Sequence, residues 1–284
     1  MRETAVTDYS DWVGRSVERR DVIRAWPAQA LHAALDLPGE PPQDGDPLPP
    51  FWRWMYFLEA RPRSTLGRDG HPAKGYGISP PIALPRRMWA GGRVEFRHPV
   101  PLGVEAVQRS SIASIAPKEG RSGPLVFVTL RHELIIGGET AEVEEQDIVY
   151  REDPAPDAPR PEPRPAPSDA EWRAEWTADA TLLFRYSALT FNGHRIHYDE
   201  TYAREVEGYA GLVVHGPLLA TLMLELARNR ADGARIARFA FRALSPIMHT
   251  ETFAACGAPT DGGARFWIAG PDGRLAMSGD ATFA

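Results

Sequence analysis

The chain has 284 residues, of which 43% are hydrophobic and 25% charged, so its composition predicts a globular fold that needs no metal or disulfide for stability. A net charge of -6 argues against a nucleic-acid binder, which depends on clustered Lys and Arg. The single cysteine, Cys256, and the absence of zinc-like Cys/His spacing favour a reducing, cytoplasmic environment. The polar first residues lack the apolar core of a signal peptide, and no apolar run is long enough for a membrane span, so we expect no membrane association.

A proline-rich segment at residues 153–168, DPAPDAPRPEPRPAPS, marks the clearest domain boundary. Alternating proline and charge cannot build a core, so we expect an extended, semi-rigid spacer there. It divides the chain into an N-terminal domain at residues 1–152 and a C-terminal domain at residues 169–284.

In the N-terminal half, apolar residues at helical spacing predict a helix over residues 16–38, interrupted by Pro27. Four β-rich stretches follow, at residues 94–96, 104–115, 125–136 and 141–150. Glycine-bearing turns at residues 117–120 and 137–138 separate the later ones, as in an antiparallel meander.

The C-terminal half has a similar order of elements. Residues 176–186 are predicted to form a strand, and a helix is predicted from Gly216 to near Arg228, because Pro217 suits a first turn and apolar residues follow on most of the circumference. Later strands are predicted at residues 235–244, 250–258, 265–269 and 275–283, with turns at residues 260–263 and 271–273.

An apolar helix between one strand and four later ones requires a curved antiparallel sheet around it, which is the hot-dog arrangement. The predicted class is therefore α+β: a double hot-dog in which two antiparallel sheets form one extended sheet, with a central buried helix in the C-terminal half.

The segment at residues 184–216, FRYSALTFNGHRIHYDETYAREVEGYAGLVVHG, carries the most chemistry. Three of the eight histidines lie there: His194, His197 and His215. A polar cluster directly before a buried helix is costly unless its groups are satisfied. It is therefore either a functional site or a hydrogen-bonded core network.

NGHRIHYDETYA, followed by EGYAGLVVHGPLLATLMLEL, resembles the MaoC-like hydratases, also called hydroxyacyl-thioester dehydratases of type 2. The residues that match the family's fingerprint are His197, Asp199, Tyr202, Ala203, His215 and Gly216. Asn192 stands where that fingerprint has an aspartate.

In the N-terminal half, PLPPFWRWMYFLEA, DGHPAKG and PRRMWAGGRVEF resemble the subgroup that contains mesaconyl-CoA and itaconyl-CoA hydratases. The resemblance implies an enzyme that interconverts a 2-enoyl-CoA and a hydroxyacyl-CoA with a short branched or dicarboxylic acyl group. It implies no cofactor besides the coenzyme A of the substrate, a monomer or homodimer, and a degenerate N-terminal half that holds no catalytic group. A hot-dog thioesterase and a non-catalytic acyl-CoA-binding module remain alternatives.

The same resemblance assigns catalytic roles to His197, Asn192 and Gly216. His197, as a group that ordinarily titrates near neutrality, would move the proton. Backbone N–H groups around Gly216 would stabilise the oxyanion. Asn192 cannot act as a carboxylate base, so three readings stay open: it orients the water for His197, a carboxylate such as Asp199 contributes, or the site is inactive.

Arg195, His215 and Asp199 are expected to bind substrate. Arg195 would pair bidentately with a substrate carboxylate, or alternatively with Asp199 or Glu200. His215 would orient the loop before the helix.

Overall fold

The computed structural model describes residues 8–120, 123–153, 162–230 and 234–284. Its ten strands are β1 Ser16–Val22, β2 Arg86–Phe96, β3 Glu105–Gly120, β4 Gly123–Ile136, β5 Glu139–Arg151, β6 Trp172–Thr177, β7 Ile236–Ala243, β8 Thr252–Thr260, β9 Gly263–Ala269 and β10 Leu275–Phe283. They form one antiparallel sheet in the order β1-β3-β4-β5-β2-β7-β10-β9-β8-β6.

Each half of the chain contributes five neighbouring strands in the same relative order. Counted inward from the two edges, the halves are β1-β3-β4-β5-β2 and β6-β8-β9-β10-β7. Strands β2 and β7 join them at the centre, in a register that runs from Gly91↔Arg242 to Glu95↔Arg238. This single extended sheet, with the helix described next packed on it, confirms the predicted α+β double hot-dog.

Helix α3, Gly216–Arg228, is the predicted central helix and has the predicted bounds. Pro217 lies in its first turn, where the missing N–H costs no intrahelical hydrogen bond. All side chains from 218 to 227 are buried, and the helix packs against β6 to β10. Its buried Glu225 accepts a hydrogen bond from Trp52 Nε1 at 2.9 Å, so the polar group does not remain unpaired in the core.

The N-terminal helix, α1, is shorter than the sequence predicts and spans Ala25–Ala34. The predicted helix over residues 16–38 is wrong in its first part, because β1 occupies that stretch with alternating exposure and pairs with β3. Pro27 does not interrupt α1 but lies in its first turn, where a proline is tolerated. With Trp26 68% exposed, α1 is covered on one side only.

The predicted strand over residues 176–186 is also wrong. Strand β6 ends at Thr177, and helix α2, Ala180–Thr190, follows it. Asp179 caps α2, since its Oδ1 accepts a hydrogen bond from the backbone N of Leu182 at 2.9 Å. The polar segment therefore begins within a helix that packs against α1, rather than after a buried strand.

Most predicted turns are confirmed. Gly137 and Gly138 connect β4 to β5 with positive φ angles of 59° and 90°, which glycine adopts without strain. The turns at residues 260–263 and 271–273 are also present. Residues 117–120 lie inside β3 instead, and the connection to β4 falls at residues 121–122, outside the described residues.

Half of the predicted spacer, residues 154–161, lies outside the described residues. Its later part runs beside the β9–β10 turn, where Arg164 O accepts from Leu275 N at 2.7 Å and Ala166 N donates to Gly273 O at 2.8 Å. The division into two domains with a spacer stays a prediction. Among the described residues, no helix is both long and apolar enough to cross a membrane.

Candidate functional site

A cavity of about 580 Å³ is lined by residues of both halves. The C-terminal half contributes Asn192, His194, His197 and Gly216 from the polar segment. The N-terminal half contributes the inner face of its sheet and the loop that begins at His71. The three residues with predicted catalytic roles thus line one cavity.

His197 is held in a defined tautomer. It ends a single 3-10 turn, Arg195–His197, and its ring Nδ1 lies 2.7 Å from the backbone oxygen of Val213. A carbonyl oxygen can only accept, so Nδ1 carries the proton and Nε2 keeps a lone pair. Val213 is itself fixed, because its N–H donates to Ile196 O at 2.9 Å.

Burial keeps this imidazole neutral. The pKa of His197 is lowered to about 3, chiefly by desolvation and next by the neighbouring His194, against a raising effect of the Val213 hydrogen bond. The expectation that His197 titrates near neutrality is therefore wrong. The side chain is a neutral base throughout the physiological pH range.

The ring of His215 stacks on the ring of His197. The two rings stack with centroids 3.6 Å apart and planes 19° from parallel. His215 is fully buried, its Nε2 lies 2.8 Å from Ser187 Oγ, and burial lowers its pKa well below the usual value. It does not line the cavity, so the structure places it behind the site, beside the loop that it was expected to orient.

Asn192 has one amide orientation. Its Oδ1 accepts a hydrogen bond from the backbone N of His194 at 3.0 Å, which turns the NH2 group away from that contact. The side chain therefore offers two N–H donors and one remaining oxygen lone pair at the cavity. This suits holding a water or a substrate oxygen, and it supplies no base.

Gly216 begins α3 at the cavity wall. A Cβ at this position would lie 2.6 Å from Trp89 Cε3, so the absence of a side chain lets the indole pack against the start of the helix. N–H groups of the first helical turn have no intrahelical acceptor and carry the positive end of the helix dipole. The start of α3 thus places N–H donors beside the cavity, as the predicted role in oxyanion binding requires.

Arg195 and Asp199 do not line the cavity. Asp199 Oδ2 accepts from Arg195 Nε at 3.0 Å and Nη2 at 2.7 Å, while its Oδ1 caps the next turn by accepting from Tyr202 N at 2.9 Å. These contacts, the Tyr202 backbone bond first, lower the pKa of Asp199. Of the two alternatives for Arg195, the structure shows the internal ion pair. Its role in substrate binding stays a prediction that the geometry does not support.

His71 is the site residue that the sequence analysis missed. Its ring lies 4.7 Å from that of His194, which in turn lies 5.5 Å from that of His197, centroid to centroid. The pKa values of His71 and His194 are both lowered to about 3, chiefly by burial. Together with His132, whose pKa burial also lowers to about 3, the cavity lining contains four neutral imidazoles, two of them from the N-terminal half.

The loop that carries His71 is fixed to both halves. Arg195 N donates to Asp69 O at 2.9 Å, and Asp69 forms an ion pair with Arg87 at 2.9 Å. A Cβ on Gly70 would lie 2.0 Å from Gly193 O, so only glycine allows the two loops to meet. The motif DGHP contains these residues, but its contact with residues 192–195 is long-range and has no local sequence pattern.

Comparisons with known proteins identify the family of this chain. The family described as hydroxyacyl-thioester dehydratase type 2 matches residues 51–249. The chain is 46% identical over 272 residues to mesaconyl-C(4)-CoA hydratase of Chloroflexus aurantiacus, covering 95% of this chain and 96% of that protein. It is 30% identical over 254 residues to the mitochondrial hydroxyacyl-thioester dehydratase type 2 of Schizosaccharomyces pombe, covering 78% of this chain and 80% of that protein.

Solved structures show the same architecture at low identity. A MaoC-like dehydratase from Phytophthora capsici superposes with a TM-score of 0.72 at 14% identity, covering 95% of each chain. A Mycobacterium tuberculosis protein described as a double hot-dog fold superposes with a TM-score of 0.60 at 14% identity, covering 95% of this chain and 96% of that one. The protein is thus a double hot-dog protein. Because the family matches residues 51–249 and both relatives align over most of the chain, the chain belongs to the hydroxyacyl-thioester dehydratase type 2 family.

Proposed function

We propose that this protein adds water to the double bond of a 2-enoyl-CoA, or removes it from the hydroxyacyl-CoA, with His197 as the proton-transferring group. The observation that carries this proposal is the tautomer of His197: Nδ1–H donates to Val213 O, and the neutral ring keeps its Nε2 lone pair. A neutral base beside the start of a buried helix is what addition of water to an enoyl thioester requires.

In the hydration direction, the water oxygen bonds to C3 while its proton passes to His197 Nε2. The electron pair of the C2=C3 bond forms a C1=C2 bond, and the π pair of the C1 carbonyl moves to the thioester oxygen, which the N–H groups at the start of α3 stabilise. The proton on Nε2 then returns to C2, and the carbonyl re-forms. Val213 O stabilises the transient imidazolium through Nδ1–H, and Asn192 holds the water.

The carboxylates that line the cavity favour this chemistry over hydrolysis of the thioester. A hot-dog thioesterase would use a carboxylate to activate water. The two carboxylates in the lining, Glu59 and Glu207, are each held in ion pairs, Glu59 with Arg19 at 2.6 Å and Glu207 with Arg86 at 2.6 Å. The free base in the cavity is an imidazole.

For the acyl group, we propose a short branched dicarboxylic acid such as the mesaconyl group. The support is the relative named mesaconyl-C(4)-CoA hydratase, which is 46% identical along nearly the whole chain. We further propose that the protein acts in the cytoplasm as a monomer or homodimer, which size-exclusion chromatography with light scattering would distinguish.

The test is a panel of crotonyl-, mesaconyl- and itaconyl-CoA with wild-type protein and His197→Gln. We expect hydration of at least one enoyl thioester and a loss of roughly 10²- to 10⁴-fold in kcat for His197→Gln. His98→Gln, which alters an exposed histidine, is the matched control and should keep wild-type activity. Release of free thiol without hydration would identify a thioesterase, and CoA binding without turnover would identify a binding module.

A further inference from the structure

Several buried N–H donors without an acceptor lie in the lining of the cavity. Within the described ranges, the cavity-lining donor atoms without a partner in hydrogen-bond geometry are Trp54 Nε1, Arg61 Nε, Ser79 Oγ, Trp89 Nε1 and His132 Nε2. A buried donor without an acceptor loses its hydrogen bond to water and gains none in return, which costs free energy. Several such donors in one cavity therefore point to a ligand that brings oxygen acceptors. Trp89 lies against Gly216, whereas Arg61 and His132 belong to a different part of the cavity.

A chain of hydrogen bonds fixes the tautomer of His132. Arg53 can only donate, so Gln108 turns its Oε1 to Arg53 Nη1 and its Nε2 to Ser110 Oγ, 3.2 Å away. Ser110 then has its hydroxyl proton free to donate to His132 Nδ1 at 2.7 Å. The neutral His132 ring then carries its proton on Nε2, a donor at the cavity wall that interacts with the Gln146 side chain but has no acceptor in full hydrogen-bond geometry.

Near His132 two arginines line the cavity. Arg19 and Arg61 share a single carboxylate, Glu59, at 2.6 Å and 2.5 Å. The other charged residues of the lining are paired, Arg87 with Asp69 and Glu207 with Arg86, which also pairs with Asp153. Behind the lining, Arg53 pairs with two carboxylates, Glu142 and Glu144. Arg19 and Arg61 are therefore the cations at this end that an anion in the cavity can approach.

These groups lie together at one end of the cavity. Arg19 is opposite Gln108 in the β1–β3 register, and Ser110 is opposite His132 in the β3–β4 register, so all four share the inner face of the sheet. We call Arg19, Arg61 and His132 the distal donor cluster.

The distal donor cluster is remote from the start of α3. Trp89 packs against Gly216 and is opposite Ile148 in the β2–β5 register. Ile148 is in turn opposite Val128 in the β4–β5 register. His132 lies four residues further along β4, which corresponds to roughly 13 Å. The wall between the two ends is largely apolar, with Val128, Leu130 and Ile148.

We propose that the distal donor cluster binds the terminal carboxylate of dicarboxylic acyl groups longer than mesaconyl, which the cavity would accept in addition to the short acyl group proposed above. The apolar wall would contact the methylene chain, Arg61 and Arg19 would balance the carboxylate, and His132 Nε2–H would donate to it. The proposal rests on the proposed function only in taking the ligand to be an acyl-CoA. It replaces Arg195 with a cation that lines the cavity.

The test measures binding rather than turnover, so that it does not depend on hydratase activity. Octanoyl-CoA and octanedioyl-CoA are saturated, cannot be hydrated, and differ by the terminal carboxylate. We expect the wild-type protein to bind octanedioyl-CoA roughly 30- to 100-fold more tightly in calorimetric titrations. Arg61→Gln should remove most of this preference while octanoyl-CoA binding stays within about threefold, and Arg61→Lys should restore part of it.

Further variants and shorter ligands make the result decisive. Arg109→Gln alters an exposed arginine of β3 that pairs with Glu18, and it should leave the preference unchanged. His132→Phe should reduce the preference, and thermal melting of each variant checks that it folds. Butanoyl-CoA and succinyl-CoA, whose chains are too short to reach the cluster, should bind with a much smaller difference.

Equal binding of the two eight-carbon thioesters by the wild-type protein would overturn the proposal. So would equal weakening of both by Arg61→Gln, because that result would place Arg61 against a coenzyme A phosphate. An undiminished preference in the four-carbon pair would overturn the distal position. Hydration of crotonyl-CoA alongside any of these results would leave the proposed function standing.

Discussion

The two halves share one strand order but cover their sheets differently. In the C-terminal half, α3 is surrounded by protein and lies against five strands. In the N-terminal half, the shorter α1 has an exposed side, and part of the inner sheet face lines a cavity instead. One half thus contributes a buried helix whose first turn faces the site, and the other contributes space for a ligand.

The N-terminal half also contributes side chains to the site, in addition to space for a ligand. It supplies His71 to the cluster of imidazoles and Trp89 to the packing of Gly216. Its inner face also carries polar side chains where a sheet under a full-length helix would be apolar. The predictions below test how far this division between the halves holds.

The largest expected change in stability comes from α3. Leu222→Ala should lower the free energy of unfolding by about 2–5 kcal/mol, because Leu222 is fully buried. Trp26→Ala, on the exposed side of α1, should change it by less than about 0.5 kcal/mol. Denaturant unfolding of both variants checks the comparison, and similar losses would mean that the two helices are buried alike.

Gly216→Ala tests the contact between the halves at the start of α3. The added methyl group would collide with the Trp89 ring, and such overpacking costs about 1–3 kcal/mol. Trp89→Leu should relieve the collision, so the double variant should be more stable than the sum of the single effects predicts. Strict additivity in a double-mutant cycle of unfolding free energies would refute this contact.

His71→Asn tests whether the N-terminal half contributes to the chemistry. Removing an imidazole that contacts His194 should lower kcat by about tenfold, through lost positioning of the proton-transferring groups. The sequence predicted no catalytic group in this half, so unchanged kcat would restore that view. Steady-state kinetics with His98→Gln as control separates the two outcomes.

Acid stability should reflect the buried histidines of both halves. Burial lowers the pKa of His71, His132, His194 and His197 to about 3, below the unfolded value of 6.5. The unfolded state therefore binds more protons, and stability falls as pH drops from 6.5 toward 3.

Each of these histidines contributes about 1.4 kcal/mol per pH unit within that window. His132→Gln should accordingly flatten the dependence of unfolding free energy on pH by this amount. A slope that His132→Gln leaves unchanged would show that His132 is protonated in the folded protein.

Local patterns in the sequence predicted much of the fold. Gly216 and Pro217 followed by a nearly continuous apolar run gave α3 its bounds, and paired glycines located the β4–β5 turn. The errors occurred where two periodicities compete. The charged strand β1 was taken as part of a helix, and the Asp179 cap of α2 was overlooked.

The site was predictable only in part. The polar segment located His197, Asn192 and Gly216, which line the cavity. The pairing of Arg195 with Asp199 could have been expected from their i,i+4 spacing, which brings such side chains together on one turn. The approach of His71 could not, because it depends on tertiary contacts between two loops more than a hundred positions apart in the chain.

The most direct test of the central claim follows both bonds formed by water. Crotonyl-CoA is incubated in D₂O with wild-type protein and with His197→Gln, and the product is analysed by NMR and mass spectrometry. We expect 3-hydroxybutanoyl-CoA with one deuterium at C2, formed at least about a hundredfold more slowly by His197→Gln. Release of free CoA without deuterium at C2, or an unaffected rate in His197→Gln, would contradict the account.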